Sequence, residues 1–498
     1  MHGEAIGSTR SLRLILVMAE NGTIGPNTFS ALDVLFADYA RDGHIPGLIF
    51  GVVADGRLAY VSGVGFQDLL SKRPVSRHTL FRVASMTKAF TALMVLKLRD
   101  AGKLTLDAPA QSYVPELRGW KYPTQDSPQI RVRDLLNHTA GFIYDDPWGD
   151  RQTLLPEAEF TRLLREGVSF ARTPGTASEY SNLGYALLGR IISNVSGHPY
   201  DLTIARELLA PLSMASSGFS CDVAAVERRA LGYSWLDDAW HVEPPIPHGS
   251  FGAMGGMHSS AVDYAKWTAY LLSAWPPRDD EDSGPVRRAT LRELAQGSSF
   301  PDMRRRFGHS RTDSQDQAAT YGMGMVVAVD KELGFTLSHS GGYPGFGSHV
   351  LLLPNQGTGL FAFANLTYAG VASPVWDAAL MLQKGGYFKD RPVSITDALS
   401  VAYRAVEAVY REGDIAAAGD LLAMNFLLDR DARGWARDLA RLKAQVGECI
   451  AAGPVRATSG LSGEFLWTCA HGRITGSLSL APTRQVRIQQ LILSRKTP

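Results

Sequence analysis

Between Ala89 and Leu98 the chain is apolar on nearly every side, with Ala89, Phe90, Leu93, Met94, Val95, Leu96 and Leu98 leaving almost no face for water. A helix with that pattern must be covered all round, so it belongs at the centre of a domain whose remaining elements supply the cover. Just ahead of it, in Phe81-Arg-Val-Ala-Ser-Met-Thr-Lys-Ala-Phe90, Ser85 and Lys88 stand three residues apart. On a helix that spacing puts a hydroxyl and an amine on one face, within reach of proton transfer. Ser85 at the helix N-terminus would also lie where free backbone N–H groups and the helix dipole favour developing negative charge. Ser-x-x-Lys is a common pattern, and a capped helix with a surface lysine also accounts for it. Partners elsewhere in the chain have to decide.

At 498 residues, 45% of them hydrophobic, the chain is long enough for two domains, the first with a sizeable core. A net charge of +1 points to neither nucleic acid nor an anionic membrane. Cys221, Cys449 and Cys469 are too few and too scattered for a disulfide framework or a zinc site, although Cys449 and Cys469 are free to pair. There is no His-Glu-x-x-His, no paired Cys-x-x-Cys and no Gly-x-Ser-x-Gly elbow, so neither metal nor cofactor is expected. Arg10 and Arg13 precede an apolar run, Leu14 to Ala19, that is short for a signal segment and lacks a small-residue cleavage site. The compartment, cytoplasmic or periplasmic, is left open. No stretch approaches the length of a transmembrane helix.

After a polar tail over residues 1–27, Leu32, Leu35, Phe36 and Tyr39 predict an amphipathic helix. Leu48 to Ala54 and Arg57 to Gly63 flank Asp55-Gly56 and predict an antiparallel hairpin. From Gly102 to about residue 265, short helical patterns broken by Pro and Gly predict an all-helical insertion. The charged stretches 279–285 and 304–317 read as solvated loops. Met323 to Val329, Phe335 to His339, His349 to Leu353 and Leu360 to Ala364 then predict strands. Together these give an α/β (α+β) fold over residues 28–390: one antiparallel sheet assembled from both ends of the domain and flanked by helices.

Residues 393–498 have a different texture. Leu399, Ala402, Tyr403, Val406, Val409 and Tyr410 mark an amphipathic helix with Ser394 and Asp397 as cap signals. Helices over Ile415 to Met424 and Trp435 to Val446 follow, then strands near 464–468, 473–480 and 486–493. Helices first and strands afterwards predict a small C-terminal α+β domain. Its element order resembles a cone-shaped, nuclear-transport-factor-2-like module; Trp435 and Trp467 read as its core, and its simplest role is packing or dimerisation into a homo-oligomer.

Two further stretches carry chemistry. In Glu179-Tyr-Ser-Asn-Leu-Gly184, the Tyr180 phenol can relay a proton and the Asn182 amide can hold a lysine or a substrate carbonyl; a turn tyrosine and a helix cap explain the same residues. In Leu337-Ser-His-Ser-Gly-Gly342, His339 stands at the end of a predicted strand, and Gly341 and Gly342 let the backbone approach a ligand. A structural histidine is the plain alternative.

Ser85-x-x-Lys88, Tyr180-x-Asn182 and His339-x-Gly341, in this order, resemble the three motifs of the serine β-lactamase and penicillin-binding superfamily. Supporting matches are Ile45-Pro-Gly47, Thr79-Leu-Phe81, Gly102-Lys-Leu-Thr-Leu-Asp107, Leu135-Leu-Asn-His-Thr-Ala-Gly141 and Gly255-Gly-Met257. The likeness runs over about residues 28–388 and is closest to class C β-lactamases, D-aminopeptidases, DD-peptidases and family VIII esterases. The resemblance implies a β-lactamase-like sheet and an acyl-enzyme mechanism. In it Ser85 attacks a carbonyl, Lys88 and Tyr180 manage its proton, and the N–H groups of Ser85 and Gly342 hold the oxyanion. Asn182 orients substrate and Lys88, while His339, Gly341 and Gly342 line the substrate. A cationic Lys usual in the third motif is replaced by His339, which weakens anchoring of a β-lactam carboxylate. Small esters or amides, including D-amino-acid peptides, are the expected substrates. The alternatives are a carboxylesterase with weak or no β-lactamase activity and a catalytically silent penicillin-binding-like sensor or scaffold.

Overall fold

The computed structural model describes residues 27–144, 149–220, 223–297, 302–305, 316–389, 391 and 393–496. The apolar run at 14–19, Cys221 and the centre of the 304–317 loop lie outside the described residues. The chain divides at Lys389 into two compact units.

In the first unit, helix α1 (Asn27–Asp42) leads into the hairpin of β1 (Gly47–Ala54) and β2 (Arg57–Asp68), followed by β3 (Arg73–Pro74). Asp55 and Gly56 both take positive φ, 50° and 73°, as a two-residue hairpin turn requires. Helices α2 (Thr87–Asp100), α3 (Asn182–Ser196) and α4 (Ala261–Leu272) come next. Strands β4 (Asp302–Arg305), β5 (Asp316–Tyr321), β6 (Val326–Asp330), β7 (Gly334–Tyr343), β8 (Phe346–Leu353) and β9 (Thr358–Ala364) and helix α5 (Ala372–Lys384) complete it. The strands form one antiparallel sheet ordered β3-β2-β1-β9-β8-β7-β6-β5-β4. Its two halves join where β1 pairs with β9, from Leu48 opposite Ala364 to Ala54 opposite Thr358.

Side chains alternate across this sheet between two cores. Leu48, Phe50, Val52, Leu351, Leu353, Leu360 and Ala362 pack with Leu32 and Phe36 of α1 and Val375 and Trp376 of α5. Ile49, Val53, Val350, Leu352, Phe361 and Phe363 face the core that holds α2, α3 and α4. Because both faces are covered, every residue of β8 and β9 is buried, and both carry consecutive apolar residues, Val350 to Leu353 and Leu360 to Ala364. Helix α2 is buried from Thr87 through Leu96, and Phe90 stacks on Trp267 of α4 with ring centroids 3.7 Å apart.

The sequence-based expectations need three corrections here. Ser85 is not in α2 but in a 3-10 turn, Ala84–Met86, that leads into it. The insertion carries, besides its helices, an exposed hairpin of Tyr233–Leu236 and Ala239–Val242. With Leu236, Trp240 and Val242 exposed and only Tyr233 of the hairpin fully buried, no regular alternation could announce it. Finally, His339 is not at a strand end: β7 continues through Gly341 and Gly342, paired with Ser348 and Gly347, to Tyr343.

The second unit starts with α6 (Asp397–Glu412) and α7 (Ala432–Val446). All six residues expected on the apolar face of α6 are buried. Its cap is Thr396, whose hydroxyl accepts from the Leu399 N–H, rather than Ser394 or Asp397. Residues expected to form a second helix make only a 3-10 piece, Ile415–Leu421, broken at Gly419 by φ 55°. Five strands follow: β10 (Cys449–Ala452), β11 (Arg456–Ser459), β12 (Ser462–Cys469), β13 (Gly472–Leu480) and β14 (Ile488–Arg495). They pair in the order β10-β12-β13-β14, with β11 also on β12. The unit is a small α+β domain, and Trp435 and Trp467 lie in its core.

Candidate active site

The turn that carries Ser85 is fastened from several sides. Ala84 takes φ 48°, an unfavourable conformation for a residue with a Cβ, so its neighbours must hold it there. The Val83 carbonyl accepts from Ser348 Oγ of β8 at 2.8 Å, and the Val83 N–H donates to the Met257 carbonyl at 3.0 Å. Thr87 Oγ1 donates to the Ala84 carbonyl at 2.6 Å. Gly341 lies against the same turn: a Cβ there would stand 2.5 Å from the Val83 oxygen and 2.9 Å from Ala84 Cβ.

Second in α2, Lys88 has no exposed surface. Its ammonium donates to Ser85 Oγ at 3.1 Å, to Asn182 Oδ1 at 2.9 Å and to the Met254 carbonyl at 2.8 Å. The ammonium also lies 4.8 Å from the Tyr180 ring centre and 5.5 Å from that of Tyr185. Asn182 is free for this contact because Ser181 caps α3 instead, its hydroxyl accepting from the Gly184 N–H at 3.2 Å.

Tyr180 stands beside Lys88 and Ser85. Burial pushes its phenol above the usual value, with Ser85 pulling the other way, so the phenol is neutral at physiological pH. Beside it, His138 Nδ1 accepts the Ser181 N–H at 3.1 Å, which puts the imidazole proton on Nε2. The His138 ring packs between Tyr180 and Tyr321, with centroids 4.4 and 4.3 Å away. Burial, then Lys88 and His339, hold it well below the usual histidine range.

His339 is 4% exposed. Its Nδ1 stands 2.6 Å from the Ser340 carbonyl and its Nε2 2.9 Å from the Tyr321 hydroxyl. Burial first, and Lys88 second, lower its pKa to about 3, against a smaller opposing effect of the Ser340 carbonyl. The imidazole is therefore neutral at any ordinary pH. Next along β7, Gly342 has no room for a side chain, since a Cβ would lie 2.8 Å from the Tyr368 ring.

Ser85, Lys88, Tyr180, Asn182 and His339 thus converge from three distant parts of the sequence, with Gly341 against the serine turn. A model of the beta-lactamase family matches residues 32–383. The chain belongs to the beta-lactamase family. Among curated proteins it is 30% identical over 337 residues to Protein flp of Staphylococcus aureus (strain MRSA252), covering 67% of this chain and 62% of that protein. It is also 30% identical over 266 residues to Esterase EstB of Burkholderia gladioli, covering 49% of this chain and 64% of that protein. The chain therefore spans less than two thirds of the length of either relative. Among solved structures, a class C beta-lactamase superposes with TM-score 0.57 at 21% identity, covering 72% of this chain and 96% of that one. A class C beta-lactamase in complex with cefoxitin gives TM-score 0.57 at 20% identity, over 72% and 98%. These superpositions show the shared fold.

Four contributors to this site escaped the sequence analysis of roles: the Met254 carbonyl, His138, Tyr185 and Tyr321. His138 and Met254 sit in or beside segments noted as family matches, and Tyr185 follows Asn182 by one helical turn. Tyr321 had no local signal. Among the described residues, no group of three or more His, Cys, Asp or Glu is placed to hold a metal ion, and no helix is long and apolar enough to cross a membrane.

Proposed function

We propose that the protein is a serine hydrolase that acts on small esters or amides through an acyl-enzyme at Ser85. The observation that carries this reading is the buried Lys88 ammonium, held between Asn182 and Met254 at 3.1 Å from the Ser85 hydroxyl and 4.8 Å from the centre of the Tyr180 ring. In the reactive form the Lys88 and Tyr180 pair has given up one proton to solvent; as Ser85 Oγ bonds to the substrate carbonyl carbon, its proton passes to that vacancy in the pair. The pair returns a proton to the leaving oxygen or nitrogen as that bond breaks, and water then repeats the cycle in reverse roles. The N–H groups of Ser85 and Gly342 are assigned to the oxyanion, supported by the packing of β7 against the Ser85 turn.

A neutral His339 offers no cation to a substrate carboxylate, which favours uncharged acyl groups over β-lactams. Ile143 and Tyr144 are exposed, and the Tyr144 ring lies 6.0 Å from that of Tyr180, so an apolar rim borders the site. Apolar or aromatic acyl and leaving groups fit such a rim. Likeness to a protein named an esterase supports the ester reading. The second unit is assigned no part in the chemistry and is proposed as a nuclear-transport-factor-2-like appendage.

A panel of a p-nitrophenyl ester, a chromogenic β-lactam and D- and L-alanine anilides, read with wild type and Ser85→Ala, tests the proposal. Turnover of the ester with a loss of roughly 10³-fold or more in Ser85→Ala is expected. Preference for the D-anilide over the L would extend the reading to D-amino-acid amides. Equal turnover by wild type and Ser85→Ala would remove it.

A further inference from the structure

None of the three sequence motifs includes His248, yet side chains meet both of its ring nitrogens. Nδ1 lies 3.2 Å from the Tyr200 hydroxyl, and Nε2 lies 2.9 Å from Ser220 Oγ. The Tyr200 hydroxyl has one hydrogen, and it goes to the Gly249 carbonyl at 2.7 Å, which can only accept. The phenol oxygen therefore receives a hydrogen from Nδ1. A neutral ring with its hydrogen on Nδ1 keeps a lone pair on Nε2, so Ser220 donates to it. That is the orientation in which an imidazole takes a proton from a serine.

The surroundings favour the same transfer. Burial, with a smaller effect of Arg82, lowers the His248 pKa against the raising effect of Asp201, so the ring is a free base at neutral pH. Asp201 Oδ2 stands 3.8 Å from Nε2, where a carboxylate stabilises the imidazolium that forms once the proton arrives. The His248 and Asp201 side chains keep only 21% and 20% of their surface, whereas Ser220 is exposed and open to a reagent. Phe219 fixes the serine in place. Buried itself, it sets its ring 5.3 Å from that of Tyr200 and 5.7 Å from that of His248, so the residue before Ser220 packs on both partners.

We propose that Ser220 is a second acyl-accepting hydroxyl, activated by His248 beside Asp201, that takes the acyl group of an activated ester independently of Ser85. In that step the bond from Ser220 Oγ to the carbonyl carbon forms, and the bond from that carbon to the leaving oxygen breaks. The serine proton goes to His248 Nε2 and on to solvent, and the leaving group departs as its anion. No donors are assigned to the oxyanion here, so one slow acylation is expected rather than turnover.

The test treats full-length Ser85→Ala protein with p-nitrophenyl acetate at neutral pH. It is expected to release about one equivalent of p-nitrophenolate in a single phase and then stop, with the acetyl group found on Ser220 by peptide mass spectrometry. Adding Ser220→Ala should remove that phase, and adding His248→Gln instead should slow it about 10²-fold. Acetyl groups spread evenly over the exposed serines, or a phase of unchanged rate with His248→Gln, would reveal an ordinary surface hydrogen bond and overturn the inference. Should His248→Gln fail to fold, the location of the acetyl group in Ser85→Ala decides alone. The reading of Ser85 fails in a different way, by release from Ser85→Ala that continues past one equivalent at the wild-type rate.

Discussion

Lys88 Nζ and Asn182 Oδ1, 94 residues apart in sequence, meet at 2.9 Å inside the first unit. That bond ties the buried cation to the N-terminus of the helix that also presents Tyr180. Asn182→Ala leaves a buried ammonium with one acceptor fewer, so it is expected to cost about 1–3 kcal/mol of stability. The freed Lys88 would also drift from Ser85, and kcat/KM should fall by about 10²-fold. Steady-state kinetics and urea unfolding on the same variant check both. Full activity in Asn182→Ala would mean the amide does not position the lysine.

Acid sensitivity should be pronounced. His258, His339 and His349 are nearly unexposed, and burial is the first cause that lowers each from 6.5 to about 3. A folded-state value below the unfolded one means the unfolded chain binds more protons between these two values. The neutral imidazoles therefore contribute their full stability above pH 6.5, and it is lost as pH falls from there towards 3. Each such group can remove up to about 1.4 kcal/mol per pH unit in that window. The melting temperature, followed from pH 7 to 4.5, should drop steeply, and His349→Gln should make the slope shallower. A melting temperature that is flat over this range would show that these rings are not held neutral by the fold.

How much could be read from the sequence depended on whether the signal was local. Asp55-Gly56 announced its hairpin because few dipeptides accept two positive φ values. Ser85 and Lys88 announced themselves by a three-residue spacing. The strain at Ala84 was silent, because alanine has no preference for the left-handed region and only the surrounding contacts keep it there. The Met254 carbonyl was invisible for a similar reason, since any residue would supply one. Tyr321 meets His339 by strand pairing across the sheet, where β6 lies between their strands, and no local pattern encodes that meeting. In the second unit, β10 and β11 were missed because most of their residues are exposed and carry no buried alternation.

Gly341, expected to let the backbone approach a ligand, lets another segment of the chain approach as well. An added Cβ would stand 2.3 Å from Ser348 Oγ, 2.5 Å from the Val83 carbonyl and 2.9 Å from Ala84 Cβ. Ser348 can rotate, but the Val83 carbonyl belongs to the turn that sets Ser85. Gly341→Ala should therefore push β7 away from that turn, costing about 1–3 kcal/mol and lowering kcat more than the stability loss alone explains. Calorimetry with single-turnover kinetics separates the two effects. Wild-type kcat in a folded Gly341→Ala protein would show that the turn does not depend on this contact.

Within the second unit, Cys449 and Cys469 are register partners across β10 and β12, with their sulfurs in contact. Burial, then the neighbouring thiol, pushes the Cys449 pKa up to about 12, so Cys449 does not behave as a fast-reacting thiolate at neutral pH. Their placement still favours an intramolecular disulfide once an oxidant is supplied. With diamide, the two thiols would give up two hydrogens to the diazene, which becomes a hydrazine, and one S–S bond forms. Titration of the unfolded chain is then expected to find one free thiol, that of Cys221, out of the three cysteines. Closing a loop between residues 20 apart should stabilise the second unit by about 3 kcal/mol and raise its melting transition, an effect that dithiothreitol reverses. Three free thiols after diamide treatment, or disulfide-linked dimers in place of an internal bond, would contradict this pairing.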